Sequence, residues 1–553
     1  LPKNFPNLTK YKDKLLFVPL GGANEIGMNL NLYQLDGKWI IVDFGIGFSD
    51  DYMPGVDLIV PDIEFLEHIK KDILGMIITH AHEDHVGAVP YLWDRVGCPI
   101  YTTKFTAGII REKLKDADFK KQPKLNVLTS DETFKLGSFE IEPFHLAHSI
   151  PEMHAFAIKT RYGNVFHTGD WKFDPNPLIS DAADTDALKK YGKEGVLALV
   201  CDSTNVFSPG TSGSEATVRE NLFKLISKAK NRVVVTTFAS NLARLETIIK
   251  AAQQAGRKIV VCGRSIWRII EVAKATGYLK NCPELFTDRE FSKIPKEKAL
   301  LLCTGCQGEG RAAMSRIAEQ THPAVKLNKG DLAIFSSKMI PGNEEKILRM
   351  LNLLALQDID TITEKNEDIH TSGHPYRDEL AAMYSFLKPA VAIPVHGEHA
   401  HIKEHCNFAL EQGVSHAVRV QNGAVVELNK DAPKIVNYIE TNYVGIDGYN
   451  FVEPKSQVMR IRRFMRDNGA VFVSLLLNKK GILQQPPIIT APGLLDNELD
   501  DDLIAKMVEY LEDQSYEGLS PQQINKRLAK KLKKFCRTIT RKEPYVEINA
   551  FKI

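Results

Sequence analysis

The stretch Ile73-Leu74-Gly75-Met76-Ile77-Ile78-Thr79-His80-Ala81-His82-Glu83-Asp84-His85 decides the fold. Its first seven residues form a short run rich in branched apolar side chains, the pattern of a buried strand. The run then gives way to four ligand-type side chains, His80, His82, Asp84 and His85, within six residues. Such a cluster is costly to bury unless its charges and polar groups find partners. A divalent cation supplies that partner, since imidazole and carboxylate together suit zinc, manganese or magnesium.

The same arrangement recurs outward from this string. Residues 39–42 lead into Asp43, 164–166 into His167-Thr168-Gly169-Asp170, 196–201 into Asp202, and 390–395 into His396. Each is an apolar run followed directly by a polar residue, which lines reactive groups along one edge of a β-framework. His148, in Pro143-Phe144-His145-Leu146-Ala147-His148-Ser149, is placed to add a ligand. Asp170 can bridge two cations with its two oxygens, and His396 can complete the second. Asp43 is expected behind the ligands, orienting them by hydrogen bonds. Two cations about 3.5–4 Å apart can orient a phosphodiester and stabilise in-line displacement.

From about 211 to 362 the texture changes. The runs 233–235, 259–261, 300–302 and 332–334 alternate with helical segments such as 242–252, an α/β pattern that fits a parallel sheet. That stretch holds a single histidine, His322, after which ligand-type residues resume at His370-Thr371-Ser372-Gly373-His374. An inserted domain is the simplest reading. Around 450–457 the chain reads as a linker, followed by basic Arg460, Arg462, Arg463 and Arg466. Then come a strand-like run at 471–475, an acidic turn at Asp500-Asp501-Asp502, and a terminal helix. In that helix Ile524, Leu528, Leu532 and Phe535 recur at helical spacing, so one face is buried. Nine lysines or arginines lie between 526 and 542, and they read first as a solvated face, or else as a surface for phosphate or for a subunit.

With 553 residues, 44% hydrophobic and 25% charged, the chain has an ordinary globular composition and the length of two to four domains. A net charge of +2 announces no nucleic-acid partner, so any such surface is local. No apolar stretch reaches the roughly 20 residues that span a bilayer. The first residues, with Lys3, Pro6, Lys10 and Lys12, show no signal-peptide core. Eight scattered cysteines then read as reduced thiols in a cytosol. Cys303 and Cys306 form a C-x-x-C without a second pair, and no structural zinc is expected there. His68, His154, His322, His405 and His416 read as structural or surface residues, while His145, His167, His399 and His401 neighbour the site.

The H-x-H-x-D-H string, the downstream His148 and the Thr-Gly-Asp step resemble the metallo-β-lactamase superfamily, over the first ~200 residues and about 365–450. Asp202, His374 and His396 resemble its β-CASP branch. A histidine at the last position is similar to RNA-acting members, where DNA-acting ones tend to valine. Gly21-Gly22-Ala23-Asn24-Glu25-Ile26-Gly27-Met28-Asn29, Thr304-Gly305-Cys306-Gln307-Gly308-Glu309 and Ile340-Pro341-Gly342-Asn343-Glu344 resemble the bacterial ribonuclease J family across nearly the whole chain. Three positions depart from that family: Asn24 and Ala81 stand where glycine is common, and Cys306 where serine or threonine is frequent.

The resemblance implies an α/β fold: an αββα sandwich in two parts (1–207 and 364–449) with an inserted β-CASP α/β domain (208–363). A linker (450–462) and a small α+β C-terminal domain (463–553) follow. It implies two divalent ions, zinc first with manganese or magnesium as alternatives. One would sit on His80, His82, His148 and Asp170, the other on Asp84, His85, Asp170 and His396. Asp84, Asp202 and His374 are the expected catalytic residues, His374 serving the leaving group and Asp202 holding it. His370, Ser372, Gly373 and His374 would grip a substrate phosphate, with Ser336 and Ser337 as further lining. The implied activity is hydrolysis of single-stranded RNA, 5′→3′ from monophosphate ends with endonucleolytic cleavage as a second mode, in cytoplasmic RNA decay and processing. A homodimer or homotetramer, partners in an RNA-degradation complex and no membrane complete the expectation. A DNA-acting nuclease, a small-molecule hydrolase and a non-catalytic RNA-binding subunit are the alternatives. The large insertion argues against the second and the complete ligand set against the last.

Overall fold

The computed structural model describes residues 5–129, 132–494 and 497–553; Lys3, noted above, lies outside them. They form two compact units: residues up to Gly47 with Pro61–Asn442, and Phe48–Val60 with Tyr443–Ile553.

Two sheets face each other in the first unit. One has eight strands, in the order Lys434–Tyr438, Ala424–Glu427, Leu16–Gly21, Leu30–Leu35, Lys38–Val42, Ile73–Ile77, Ile100–Thr102, Leu125–Val127. The other has seven, in the order Phe134–Leu136, Phe139–His145, His154–Thr160, Gly163–His167, Val196–Asp202, Val391–Val395, His416–Ala417. Strand periodicity sorts their side chains between two cores. Phe156, Ile158, Val165 and Val200 point inward against Tyr33, Ile40, Val42 and Ile77 of the other sheet. Their chain neighbours Ala155, Ala157, Phe166 and Leu199 point outward onto Leu188, Tyr191, Leu380 and Tyr384 of flanking helices.

Between Asp202 and the 370–374 loop stands a six-stranded sheet, ordered Leu285–Thr287, Lys258–Cys262, Ala299–Cys303, Val233–Thr236, Leu332–Phe335, Asp360–Ile362. Every pairing in it is parallel. Its four inner strands are buried on both faces, which is why they read as continuous apolar runs rather than alternating ones.

The second unit departs from expectation in two places. Stretch 450–462, expected as a linker, carries strand Asn450–Val452 and the first half of helix Gln457–Asn468. There Met459 packs on Met53, Val56 and Val452, and Arg462 forms an ion pair with Asp447 at 2.7 Å. Asp500, Asp501 and Asp502, expected in a turn, lie in helix Asn497–Glu512. Leu503, Met507 and Leu511, four residues apart, are buried in the unit's core, and that helical repeat carries the segment into helix. The unit's core joins strand Ala470–Leu477, paired in parallel with Tyr545–Lys552, to Ile524, Leu528, Leu532 and Cys536 of helix Pro521–Thr540. Phe535, expected inside, sits at the margin of that core. No helix among the described residues is long and apolar enough to cross a membrane.

Candidate metal centre and phosphate loop

Strand Ile73–Ile77 delivers His80 to the sheet edge, and the short helix Glu83–Val86 begins directly after His82. That one turn swings Asp84 and His85 back toward His80. The turn packs so closely on its neighbour that a side chain on Gly45 would meet the Asp84 carbonyl at 1.7 Å, so only glycine fits.

Two clusters result. In the first, His82 Nδ1 lies 3.0 Å from both His80 Nε2 and His148 Nε2. In the second, His85 Nε2 lies 3.1 Å from Asp170 Oδ2, and His396 Nε2 lies 3.1 Å from Asp84 Oδ2. Asp170 belongs to both: His80, His82, His148 and Asp170 can converge on one ion, and Asp84, His85, Asp170 and His396 on another.

The outer ring atoms fix which nitrogens face inward. His148 Nδ1–H donates to the Gly373 carbonyl at 2.6 Å, and His85 Nδ1–H donates to Asp43 Oδ2 at 2.7 Å. Asp43 also accepts from the Thr79 backbone and hydroxyl, and that hydroxyl stands 3.0 Å from His80 Nδ1. His80 and His148 are thereby left with an Nε2 lone pair turned toward His82. Burial, reinforced by the neighbouring imidazoles, holds His80 and His148 well below the ordinary histidine range. Burial also brings His82 down to about 4. Asp170 Oδ1 is buried with no hydrogen-bond partner. Neutral imidazoles converging without protons to share, beside an orphaned carboxylate oxygen, are the donor set a divalent cation fits.

Beside the clusters, His374 Nδ1 lies 2.8 Å from Asp202 Oδ2. Its side chain keeps 23% exposure while Asp202 has none, so the ring faces the open side. Gly373 abuts His148 so tightly that a Cβ would fall 2.6 Å from the ring. Ser372 Oγ accepts from Asn205 Nδ2 at 2.8 Å and from the His374 amide at 3.2 Å. His370 Nδ1 is buried and unpartnered. Burial, then the cations Arg244, Lys338 and Lys172, keep His370 neutral. A neutral ring among three cations is an environment suited to an anion.

Thr204, Asn205, Lys172 and Arg244 were missed by sequence reasoning. The Thr204 hydroxyl lies 2.8 Å from His396 Nδ1, and Lys172 Nζ donates to the Gly213 carbonyl at 3.0 Å and to Thr371 at 3.3 Å. Arg244, fully buried, pairs with Glu215 and donates to the Ile369 carbonyl at 3.0 Å, directly before His370. Thr204 and Asn205 follow Asp202 and had that signal. Arg244 sits in helix Leu242–Gln254, and nothing local marks it. Ser336, offered as pocket lining, is 1% exposed and instead donates to the Ile369 carbonyl from behind the loop.

Among the remaining histidines, His145 contacts the Asp181 carbonyl, His167 the Tyr33 hydroxyl, and His401 rests against the Phe207 ring. His399 is exposed at a helix start. Asn24 has φ +70°, a conformation asparagine tolerates better than most side chains, so it can stand in for glycine there. All eight cysteines are free. Cys262, Asp288 and His322 also cluster, but His322 Nδ1 accepts the Ala324 and Val325 amides. Its Nε2 therefore carries the proton and offers no lone pair to an ion.

His405 is a buried base between the Ser203 and Tyr384 hydroxyls, and burial lowers it to about 4. A base with a folded-state pKa below its unfolded value of about 6.5 takes up protons preferentially when unfolded. Its contribution is full above pH 6.5 and is lost as pH falls toward 4. Between pH 7 and 4 the parent is expected to lose about 3 kcal/mol more stability than His405→Gln, in urea titrations. Parallel losses in the two chains would refute a neutral buried His405.

Three family models match between residues 29 and 418. The metallo-beta-lactamase superfamily matches residues 29–203, the ribonuclease J beta-CASP domain 230–354, and the Zn-dependent metallo-hydrolase RNA specificity domain 361–418. Ribonuclease J of Sinorhizobium meliloti is 38% identical, over 92% of this chain and 89% of its own. Ribonuclease J of Corynebacterium glutamicum is 34% identical over 95% and 74%, and ribonuclease J2 of Bacillus subtilis 33% over 87% of each. A crystal structure of a protein of unknown function from Enterococcus faecalis shares the fold, with TM-score 0.53 at 18% identity over 74% of this chain and 99% of that one. On this agreement of domains, identity and coverage, the chain belongs to the ribonuclease J family of metal-dependent ribonucleases.

Proposed function

We propose that the chain hydrolyses single-stranded RNA from a 5′-monophosphate end, releasing 5′-mononucleotides, with endonucleolytic cleavage as a second mode. The observation that carries this reading is the adjacency of two anion-directed features. The Asp202–His374 pair stands beside the ligand clusters, and the cation-flanked His370 precedes it by four residues.

His80, His82, His148 and Asp170 would hold one divalent ion, and Asp84, His85, Asp170 and His396 the other, zinc first with manganese or magnesium as alternatives. When bound, the pair supplies Lewis-acid activation of water and charge neutralisation at phosphorus. Every other part of the work falls to the protein. Asp202 holds the Nδ1 side of His374, so Nε2–H is presented toward the leaving 3′ oxygen and can give it a proton. His370, Ser372 and the Gly373 backbone grip the terminal phosphate, a contact that sets register without reading sequence. Asp43 and Thr79 keep His80 and His85 in the tautomer that faces inward.

The relatives' name, ribonuclease J, and the RNA specificity model over residues 361–418 support RNA over DNA. So does histidine at 396, where DNA-acting relatives tend to valine. Cytoplasmic mRNA decay and rRNA processing, as a homodimer or homotetramer with RNA-degradation partners, is the setting this reading favours.

A single-stranded RNA labelled on its 5′ phosphate tests the direction. The expected first product is labelled mononucleotide, with 5′-hydroxyl RNA cut at least ~10-fold more slowly, the scale of a lost charge-assisted phosphate contact. Labelled fragments of mixed length, at equal rates for both ends, would overturn the exonucleolytic reading.

A further inference from the structure

We propose that the solvent face of helix Pro521–Thr540 binds the phosphate backbone of the RNA substrate, adding a second hold on RNA beyond the metal centre. The proposal rests on RNA being the substrate.

The helix has two opposed faces. Ile524, Leu528, Leu532 and Cys536 are buried in the core of their unit. At 3.6 residues per turn, Lys526, Arg527, Lys530, Lys534 and Arg537 fall within roughly 100° of arc on the opposite side. All five are exposed. With a rise of about 1.5 Å per residue they form a stripe about 16 Å long.

An ordinary solvated helix face mixes signs, because opposite charges three or four residues apart stabilise the helix and like charges oppose it. Here no acidic residue occurs between 521 and 542, and Lys526, Lys530 and Lys534 follow one another at like-charge spacing. Among the described residues Lys526, Arg527, Lys530 and Lys534 reach no carboxylate, while Arg537 meets Glu543 at 2.8 Å, both largely exposed. The basic helix Gln457–Asn468 of the same unit behaves differently. Arg462 pairs with Asp447, Arg463 donates to the Tyr52 carbonyl at 2.7 Å, and Arg466 pairs with Asp467 at 2.8 Å. Three of that helix's four arginines are occupied inside the unit, whereas Lys526, Arg527, Lys530 and Lys534 of the terminal helix are left for an outside anion.

Because the whole chain carries only +2, this stripe is a local concentration and not part of a general basic surface. A row of lysine and arginine with no apolar or aromatic residue in it matches a regular polyanion, bound without sequence preference and with release of counterions.

The test compares the full chain with the variant Lys526→Gln, Arg527→Gln, Lys530→Gln, Lys534→Gln. RNA affinity is measured against KCl on a single-stranded RNA of about 25 nucleotides, in a His82→Ala background that leaves the RNA intact. Turnover of a 5′-phosphorylated trinucleotide is measured with His82 present. The four changes are expected to weaken Kd at least ~10-fold near 100 mM KCl and to reduce the salt slope by about 2–3, while trinucleotide turnover is unchanged. Equal Kd and slope in a parent that cleaves RNA would overturn the stripe alone. A changed oligomeric state in sedimentation with an unchanged salt slope would overturn it in favour of a protein contact. A parent that neither binds nor cleaves RNA would overturn the ribonuclease reading and the stripe together.

Discussion

Asp170→Asn is expected to lower kcat/KM for RNA by at least ~1,000-fold, beyond the roughly 10–100-fold of a residue that only orients a ligand. Asp170 is the one side chain shared by both four-residue clusters. Its Oδ2 stands 3.1 Å from His85 Nε2, and its Oδ1 is buried without a partner. Burial disfavours its charge, yet His396, His85 and His374 outweigh that and hold the carboxyl well below the usual range. Asparagine keeps the shape, removes the charge and turns one oxygen into a donor aimed at cations. Asp43→Asn, which disturbs the hydrogen bonds to His85 and Thr79 behind the ligands, is the internal comparison. Single-turnover cleavage with metal content measured in parallel checks both. Asp170→Asn retaining a tenth of parental activity would remove it from the centre of the site.

His374→Ala is expected to lower the cleavage rate constant by about 10²–10⁴-fold, the range for loss of a positioned proton donor, with bound metal unchanged. Asp202→Asn should fall in the same direction, since the carboxylate 2.8 Å away fixes the ring. A substrate whose leaving 3′ oxygen is replaced by sulfur discriminates the role. Sulfur departs without protonation, so His374→Ala should regain most of the lost rate on it. An equal deficit on oxygen and sulfur substrates would leave His374 no part in protonating the leaving group.

The cluster 80–85 was legible because metal chemistry restricts residue type and spacing together, and an apolar strand run marked where it would sit. Asp170 and His396 were legible for the same reason, each following its own run, and His148 by its residue type. Sequence could not show what lies behind those ligands. Arg244 and Lys172 act on the 370–374 loop from far along the chain, Arg244 across 125 residues to Ile369. Ser336 was expected to line the pocket, and only the fold shows its hydroxyl turned to a backbone carbonyl. In the second unit, local composition misled. The polar stretch 450–462 takes its order from Met53 and Val56, about 400 residues earlier in the chain. Such partners leave no periodicity in the segment itself.

The measurement that reaches the central claim most directly is RNA cleavage by the full chain as its metal is removed and restored, with metal per chain counted at each step. Two equivalents of divalent metal, lost and regained in step with cleavage of single-stranded RNA and both abolished in Asp170→Asn, is the predicted result. RNA cleavage that persists after the metal is gone, or a fully loaded chain that leaves RNA intact, would contradict it.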